Sequence, residues 1–149
     1  SEGLGLSLAK QCFMKGANVT ILSRSEDKLK KAANEIDGSG WGYVNYFACD
    51  LSKATVEEIS NIAKEAEKKF GPIEILFNNA GFCQPGMFFE KQDKFDPLEA
   101  ARQNMELNYF SNIKVCQAIG SLMMKRGKGR ICFVGSVCSF MSIPGMSGY

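Results

Sequence analysis

Residues 130–149 read RICFVGSVCSFMSIPGMSGY, and this stretch decides how the rest of the chain is interpreted. The run 130–134 is apolar and partly β-branched after its arginine, with glycines on both sides, which predicts a short buried strand. Ser136 follows the carboxyl end of that strand, where open α/β sheets bind their ligands. The loop of small residues ends at Tyr149. This stretch alone fits either a reactive serine–tyrosine pair or a plain loop with a packing tyrosine.

The segments upstream alternate between strand and helix patterns. Short apolar runs predict strands at 17–22, 43–49 and 73–77. Helical spacing of apolar residues predicts helices at 4–15, after Ser25, at 55–70 and over 97–125. This alternation is typical of an α/β fold with a doubly wound parallel sheet of the Rossmann type. We expect one domain over residues 1–149, incomplete at both ends, because the chain opens inside a glycine loop whose preceding strand is missing.

Capping residues and apolar faces refine the predicted helices. Ser25 can begin the second helix, which Gly38 and Gly40 end. Thr55 and Glu58 have the spacing of a capping box at the start of the third helix. A further short helix is expected in the loop 82–96. The long helical region is expected to present one face made of Met105, Asn108, Asn112, Val115, Ile119 and Met123.

Composition excludes several classes of protein. The chain is 45% hydrophobic and 23% charged, as globular domains are, and its net charge of +2 argues against nucleic-acid binding. It contains no histidine, which excludes Ser-His-Asp and Cys-His sites. Its six cysteines form no C-x-x-C pair, so we expect free thiols in a reducing compartment, with no disulfide and no metal site. No apolar run reaches the roughly 18 residues of a membrane span, and no signal peptide is visible.

Two features near the amino terminus fit a nucleotide site. Gly3 and Gly5 precede a helix, which suits either a tight turn or a loop that lets the backbone approach a pyrophosphate. After the strand 17–22, where NAD sites carry an acid, the chain has Arg24 instead, with Lys28 one helical turn further on. A guanidinium in this place is either an ordinary surface group or a bidentate partner for a 2′-phosphate.

Three further polar features accompany the strands and the long helix. Asp50 ends the strand 43–49 and either caps the following residues or accepts a hydrogen bond from an adenine amino group. The sequence NNAG at 78–81 consists of poor strand formers and suits a turn that lines a ligand and bonds neighbouring strands. Asn108 lies within a helix on an apolar face, and a buried amide needs partners. It is either a core residue satisfied by backbone groups or a catalytic group.

A group of large apolar side chains falls in the two loops beside Asn78 and Ser136. Because loops are normally polar, this group requires a partner. The partner is either a flexible acyl chain, to which methionine and phenylalanine adapt well, or other segments and subunits that pack there. The members of this group are Phe82, Met87, Phe88, Phe89, Phe140, Met141, Ile143 and Met146.

Together these residues resemble the short-chain dehydrogenase/reductase family over the whole chain. Gly3-Leu4-Gly5 matches the end of the family's T-G-x-x-x-G-x-G loop. Two positions of the family pattern fall outside residues 1–149. The first glycine of the loop would precede residue 1, and the lysine of the Y-x-x-x-K motif would follow residue 149. The other matching features follow in the family's order, with its serine-to-tyrosine interval: Asp50, NNAG at 78–81, Asn108, Ser136 and Tyr149.

The resemblance implies a carbonyl reductase that uses NADPH and no metal. Tyr149 would give a proton to the substrate oxygen, Ser136 would polarise the carbonyl, and Asn108 would hold a water that relays protons. A tyrosine hydroxyl is a weak acid, so the missing lysine would assist it, and the fragment by itself is expected to be inactive. The residues implied for cofactor binding are Gly3, Leu4, Gly5, Arg24, Lys28, Asp50, Leu51, Asn79, Ala80 and Gly81.

Within the family, the passages 23–29, 105–109 and 136–149 look most like those of 3-ketodihydrosphingosine reductases. This implies reduction of 3-ketodihydrosphingosine to dihydrosphingosine at the cytosolic face of the endoplasmic reticulum. Membrane association would come from segments outside this chain, and a homo-oligomer is compatible with the pattern. Three alternatives stay open: a short-chain reductase of a steroid, retinoid or acyl ketone, a cytoplasmic location, and a non-catalytic nucleotide-binding relative.

Overall fold

The computed structural model describes residues 2–37, 42–89 and 95–149. The predicted alternation of strands and helices is confirmed, with bounds that shift by about two residues or less. The helices are α1 (Gly3–Met14), α2 (Glu26–Asp37), α3 (Val56–Phe70) and a long helix α4 (97–126). The strands are β1 (Val19–Ser23), β2 (Val44–Ala48), β3 (Ile75–Asn78) and β4 (Arg130–Phe133), and a short 3-10 turn, Val137–Ser139, follows β4.

Strand pairing among the described residues is parallel. β1 pairs with β2, starting from Val19 opposite Val44, and β3 pairs with β4, starting from Ile75 opposite Arg130. No backbone ladder joins the two pairs within the described ranges, so the predicted sheet is observed as two parallel halves. The α/β architecture with parallel strands is confirmed. Parallel neighbours bring the residues that follow both strands of a pair to the same edge.

The helices pack on the strand pairs in two hydrophobic cores. One core buries Phe13 of α1 and Ile36 of α2, and Val19 and Ile21 of β1 pack against it. The other joins α3 and α4 and receives Leu76 of β3. A fully buried side chain of this size contributes about 1.5–3 kcal/mol, so these cores hold the elements that carry the site. The buried members of the second core are Ala54, Ile59, Ala63, Val115, Ala118, Ile119 and Met123.

Local hydrogen bonds begin α2 and α3 as predicted, and a glycine ends α3. The Thr55 hydroxyl accepts from the Glu58 N–H at 3.2 Å, and the Glu58 carboxylate accepts from the Thr55 N–H at 2.8 Å, which confirms the capping box. The Ser25 hydroxyl accepts from the Lys28 N–H at 3.4 Å at the start of α2. Gly71 ends α3 with a φ of 84°, a left-handed value that favours glycine.

The long helix α4 contains two π-helical turns, Glu106–Phe110 and Cys116–Gly120. Beyond the first turn the predicted apolar face is correct, since Val115, Ile119 and Met123 are buried. The prediction for Met105 is wrong, because its side chain is 47% exposed and Asn104 is buried in its place at 2%. A π turn contains one more residue than a regular helical turn. A prediction that assumes a regular helical period through this turn therefore places the buried side chain at position 105, whereas the structure buries position 104.

The prediction that 130–134 forms a buried strand is correct for the strand and wrong for its burial. Phe133 is 62% exposed, and Ile131 and Val134 are exposed as well. Among the described residues β4 pairs only with β3, so its other edge has no strand partner. Apolar residues predict that a strand forms, but its burial depends on elements that cover its faces.

Parts of two predictions fall outside the described residues. Gly38 and Gly40, which were predicted to end α2, belong to that undescribed part. The short helix predicted within 82–96 is not observed at 82–89 or at 95–96, and the positions between them are likewise outside the description.

The described ranges contain neither a membrane-spanning helix nor a cluster of metal ligands. No helix in those ranges has both the length and the hydropathy needed to cross a bilayer. No group of three or more histidine, cysteine, aspartate or glutamate side chains in the same ranges could hold a metal ion. All six cysteines are free thiols.

The capping box at the start of α3 should contribute measurably to the stability of the protein. Thr55→Ala removes the acceptor for the Glu58 N–H and should lower the free energy of unfolding by about 1 kcal/mol. Thr55→Ser keeps a hydroxyl at the same place and should retain most of that stability. Urea unfolding followed by circular dichroism measures both variants. Equal losses for alanine and serine would show that the hydroxyl is not the stabilising group.

Candidate functional site

Polar residues follow the carboxyl end of each strand, as predicted. Arg24 follows β1, Asp50 comes soon after β2, Asn79 follows β3, and Ser136 comes soon after β4. Within each parallel pair these residues lie at one edge. The start of α1 reaches the edge of the second pair, because Gly5 lies directly against the Asn79 side chain. The structure therefore brings the predicted glycine loop and the NNAG turn together.

The glycines of the predicted loop lie in the first turn of α1 rather than ahead of it. Gly3 has a φ of 59°, a left-handed value that glycine adopts without strain. A Cβ atom on Gly5 would lie 2.6 Å from Asn79 Nδ2, so a larger residue at this position would have to displace that amide. Leu4 between them is exposed, and the residue before α1 makes no side-chain cap. The free N–H groups of this turn are suited to an anion.

Opposite charges meet at this end of α1. Lys28 Nζ lies 3.1 Å from a carboxylate oxygen of Glu2, so one of the two predicted phosphate-binding cations is already paired with an acid. Both side chains are more than half exposed, which makes this ion pair weak. Arg24 is exposed and forms no ion pair with any described residue. Of the two cations, Arg24 is therefore the freer to meet a phosphate.

Asp50 adopts the capping arrangement that was one of its two predicted roles. Its Oδ1 accepts hydrogen bonds from the Ser52 hydroxyl at 2.7 Å and from the Ser52 N–H at 3.2 Å. The bond from the Ser52 hydroxyl lowers the pKa of the Asp50 carboxyl, and the charges of Lys53 and Arg24 act in the same direction. Asp50 is therefore a carboxylate at neutral pH. Leu51 is half-buried and packs against the core of α3 and α4.

The NNAG turn is anchored by its first residue. Asn78 is buried, its carbonyl oxygen accepts from the Val134 N–H at 2.9 Å, and its Nδ2 lies 3.4 Å from Cys116 Sγ. The prediction that this turn bonds a neighbouring strand is confirmed for Asn78. Asn79 lies beside Gly5, and Ala80 is exposed together with the glycine after it, so the outer part of the turn is open to a ligand.

Asn108 binds the backbone that leaves this turn. Its Oδ1 accepts from the Phe82 N–H at 2.7 Å, and its Nδ2 donates to the Phe82 carbonyl oxygen at 2.7 Å. A Cβ atom on Gly81 would lie 3.4 Å from the same Oδ1. The side chain is thus satisfied by backbone groups, which was one of the two predicted readings. This contact connects α4 to the loop that follows β3.

Ser136 and Tyr149 are not hydrogen bonded to each other. The Ser136 hydroxyl oxygen accepts from the Cys138 N–H at 3.2 Å and caps the 3-10 turn. The Tyr149 N–H donates to the Met146 carbonyl oxygen at 3.0 Å, and the ring is partly exposed. The Tyr149 hydroxyl has no hydrogen-bond partner among the described residues. Both hydroxyl groups can therefore donate to a ligand.

The two apolar loops contact each other in the structure. The Gly86 N–H donates to the Gly145 carbonyl oxygen at 2.8 Å, and Cys83 Sγ lies 3.3 Å from Met146 Sδ. Much of the predicted apolar group faces solvent beside this junction. Its exposed members are Met87, Phe88, Phe89, Phe140 and Met141.

Sequence reasoning missed two polar residues of this region, Glu2 and Asn104, and it missed the hydrogen bond of Asn112 to Asn108. Glu2 pairs with Lys28 across a long stretch of sequence, and no local pattern relates the two positions. Asn104 and Asn112 are bonded to Asn108 or its backbone. Their helical spacing of four from Asn108 was the available signal, since residues four apart lie on the same side of a helix.

Comparisons with known proteins agree with this arrangement. A model of the short chain dehydrogenase family matches residues 1–149. The 3-ketodihydrosphingosine reductase of Bos taurus is 30% identical over 154 residues, which cover 100% of this chain and 44% of the relative. An actinorhodin polyketide ketoreductase solved with NADPH has a TM-score of 0.86 at 26% identity, covering 99% of this chain and 54% of that one. An NAD+-bound xylitol dehydrogenase has a TM-score of 0.83 at 26% identity, covering 97% and 53%.

The contact between Gly5 and Asn79 predicts coupling between the two positions in a double-mutant cycle. Gly5→Ala alone should change the free energy of unfolding by less than about 0.5 kcal/mol, because alanine favours the helix but its methyl group must displace the half-buried Asn79 amide. In an Asn79→Ala background the same change should stabilise α1 by about 0.5–1 kcal/mol, because alanine favours a helix over glycine. Urea unfolding of the four proteins measures this coupling. The same effect of Gly5→Ala in both backgrounds would contradict the contact.

Proposed function

Because the chain belongs to the short-chain dehydrogenase family, we propose that the full-length protein reduces a ketone to an alcohol with NADPH. Its proposed substrate is 3-ketodihydrosphingosine, which it converts to dihydrosphingosine. The main support is the 30% identity to the bovine 3-ketodihydrosphingosine reductase, which extends over the whole of this chain. Since the chain spans less than half of that relative, the activity is proposed for the full-length protein.

The first turn of α1 fits a nicotinamide dinucleotide. Gly3 and Gly5 have no side chains that would cover the backbone, and the N–H groups of this turn would bind the pyrophosphate. Asp50 would accept from the adenine amino group through its unused Oδ2, with Leu51 beside it, because Ser52 occupies Oδ1. Asn79, Ala80 and Gly81 would line the same cofactor from the end of β3. When bound, NADPH supplies a hydride to the carbonyl carbon of the substrate.

Ser136 and Tyr149 would act on the carbonyl oxygen. The Ser136 oxygen accepts from the Cys138 N–H, which leaves the hydroxyl hydrogen to donate to the substrate and polarise the carbonyl. Tyr149 would donate the proton that completes the alcohol, assisted by the lysine expected after it. Asn108 is proposed to hold a relay water. The Phe82 backbone is hydrogen bonded to both Oδ1 and Nδ2 of Asn108. The water would therefore bind to the second lone pair of an Asn108 oxygen.

The substrate proposal gains support from the two joined loops. Met87, Phe88 and Phe140 are exposed on these loops, which meet near the residues that follow β3 and β4. An acyl chain in contact with these groups would remove apolar surface from water, and methionine adapts its shape to such a flexible ligand. From the same resemblance we propose a location on the cytosolic face of the endoplasmic reticulum, with membrane contact through other segments of the protein. We also propose that the full-length protein forms a homo-oligomer.

Cofactor preference should depend mainly on Arg24. Arg24→Ala should weaken NADPH binding about ten- to a hundredfold, because a charge-assisted hydrogen bond to the 2′-phosphate is lost. Binding of NADH should stay nearly unchanged. Lys28→Ala should have the smaller effect, since Glu2 already neutralises this ammonium group. Fluorescence titration of both cofactors measures these affinities.

An exposed lysine of α2 supplies the matched control for that experiment. Lys31→Ala removes one positive charge from the same helix, at a position with no proposed phosphate contact. It should leave the ratio of NADPH to NADH affinity unchanged. Equal affinities of the wild-type protein for the two cofactors would refute the proposed preference.

The substrate proposal is tested by comparing two ketones in detergent. The full-length protein should reduce a long-chain 3-keto sphingoid base with a higher kcat/KM than a steroid ketone. Tyr149→Phe should abolish turnover but keep NADPH affinity, because the ring still packs when the proton donor is removed. Absorbance of NADPH measures the turnover of both proteins. A preference for the steroid would refute the lipid substrate, and NADPH-binding protein that turns over no ketone would favour a non-catalytic relative.

A further inference from the structure

Asparagines recur along α4 at positions 104, 108 and 112, and hydrogen bonds link them into a ladder. Asn108 Nδ2 donates to Asn104 Oδ1 at 3.4 Å, and Asn112 Nδ2 donates to the Asn108 carbonyl oxygen at 2.7 Å. Asn104 Nδ2 in turn donates to the Ala100 carbonyl oxygen at 2.8 Å. Each asparagine is therefore bonded to a group one turn earlier in the helix.

The neighbours of Asn108 determine which way its amide points. The Phe82 N–H requires an acceptor and the Phe82 carbonyl requires a donor, so Oδ1 must face the first and Nδ2 the second. This leaves one hydrogen on Nδ2. Asn104 Oδ1 accepts that hydrogen, which completes the donor capacity of the Asn108 side chain.

Asn104 makes this contact from a buried position. Asn104 is 2% exposed and lies one turn after the buried Ala100 of the same helix. A buried amide is costly unless its groups are bonded, and here the donor is used by Ala100 and the acceptor by Asn108. A leucine would fill the same space without any polar group to satisfy. The amide therefore serves the orientation of Asn108 rather than the packing of α4.

We propose that Asn104 is a positioning residue for the cofactor site. It acts through Asn108, whose orientation it completes, on the loop that runs from Asn79 to Phe82. This inference rests on the proposed function, because that loop is part of the proposed NADPH site. A turned amide would place a donor against the Phe82 N–H and an acceptor against the Phe82 carbonyl, and both bonds that hold this loop would be lost.

Two substitutions separate this role from the contribution of Asn104 to the helix. Asn104→Ser keeps a hydroxyl that can bond to the Ala100 carbonyl, as the Ser111 hydroxyl bonds to the Leu107 carbonyl, but it is too short to reach Asn108. Ser111→Ala is the matched control, because it removes a bond of that kind from α4 at a buried serine that is not hydrogen bonded to Asn108.

Two measurements on the full-length protein test the proposal. Hydrogen exchange followed by mass spectrometry reports on peptides that contain Phe82, whose N–H is held by Asn108. Fluorescence titration reports the Kd for NADPH. We expect Asn104→Ser to speed exchange at these peptides and to raise the Kd about tenfold, which is the loss of about one hydrogen bond. Ser111→Ala should change neither by more than about twofold.

Each outcome decides the matter. Unchanged exchange at Phe82 in Asn104→Ser would overturn the proposal, and so would an equal change in Ser111→Ala, since that would reveal a general loosening of α4. Faster exchange with an unchanged Kd would overturn the link from Asn104 to the cofactor. If the wild-type protein binds neither NADPH nor NADH, the proposed function fails by itself, while the exchange at Phe82 still decides whether Asn104 positions this loop.

Discussion

The hydrogen-bonded contact between the Asn108 amide and the backbone of Phe82 is the interaction on which the candidate site depends. A primary amide carries an acceptor and a donor side by side, so it can hold the N–H and the C=O of one residue together. Both bonds are 2.7 Å long, and they attach the loop after β3 to α4. Asn79 continues this connection to Gly5 at the start of α1. The elements around the site are thereby held by polar contacts as well as by the two cores.

The charges near the start of α1 are held loosely, so an anionic ligand of the proposed kind would compete for them. The ion pair of Glu2 with Lys28 is exposed, and such pairs contribute about 0–1 kcal/mol and are screened by salt. Arg24 is exposed beside the Asp50 carboxylate, whose pKa it helps to lower. A phosphate brings more charge than a carboxylate, and it can therefore compete for these cations at little cost to the fold.

Exposed apolar surface sets a second constraint on this part of the molecule. Burial of apolar area contributes about 25 cal/mol per Å². Covering the exposed apolar faces of β4 and of the two joined loops would therefore stabilise the protein further. The side chains differ in kind. Phe133 and Ile131 belong to a regular strand that another packed element would cover, whereas Met87 and Phe140 project from loops that can adapt to a ligand.

The sequence by itself determined the order of the elements and the residues that end each strand. The capping box of Thr55 and Glu58 could be predicted because its hydrogen bonds join residues close in the chain. The NNAG turn could be predicted because it follows directly from the end of a strand. Only the tertiary structure decided that Asn104 rather than Met105 is buried, since a π turn shifts the helical phase, and that β4 is exposed, since burial depends on its neighbours. It also decided the pairing of Glu2 with Lys28. Periodicity and caps act between neighbours in the chain, whereas burial and ion pairing act between segments that only folding brings together.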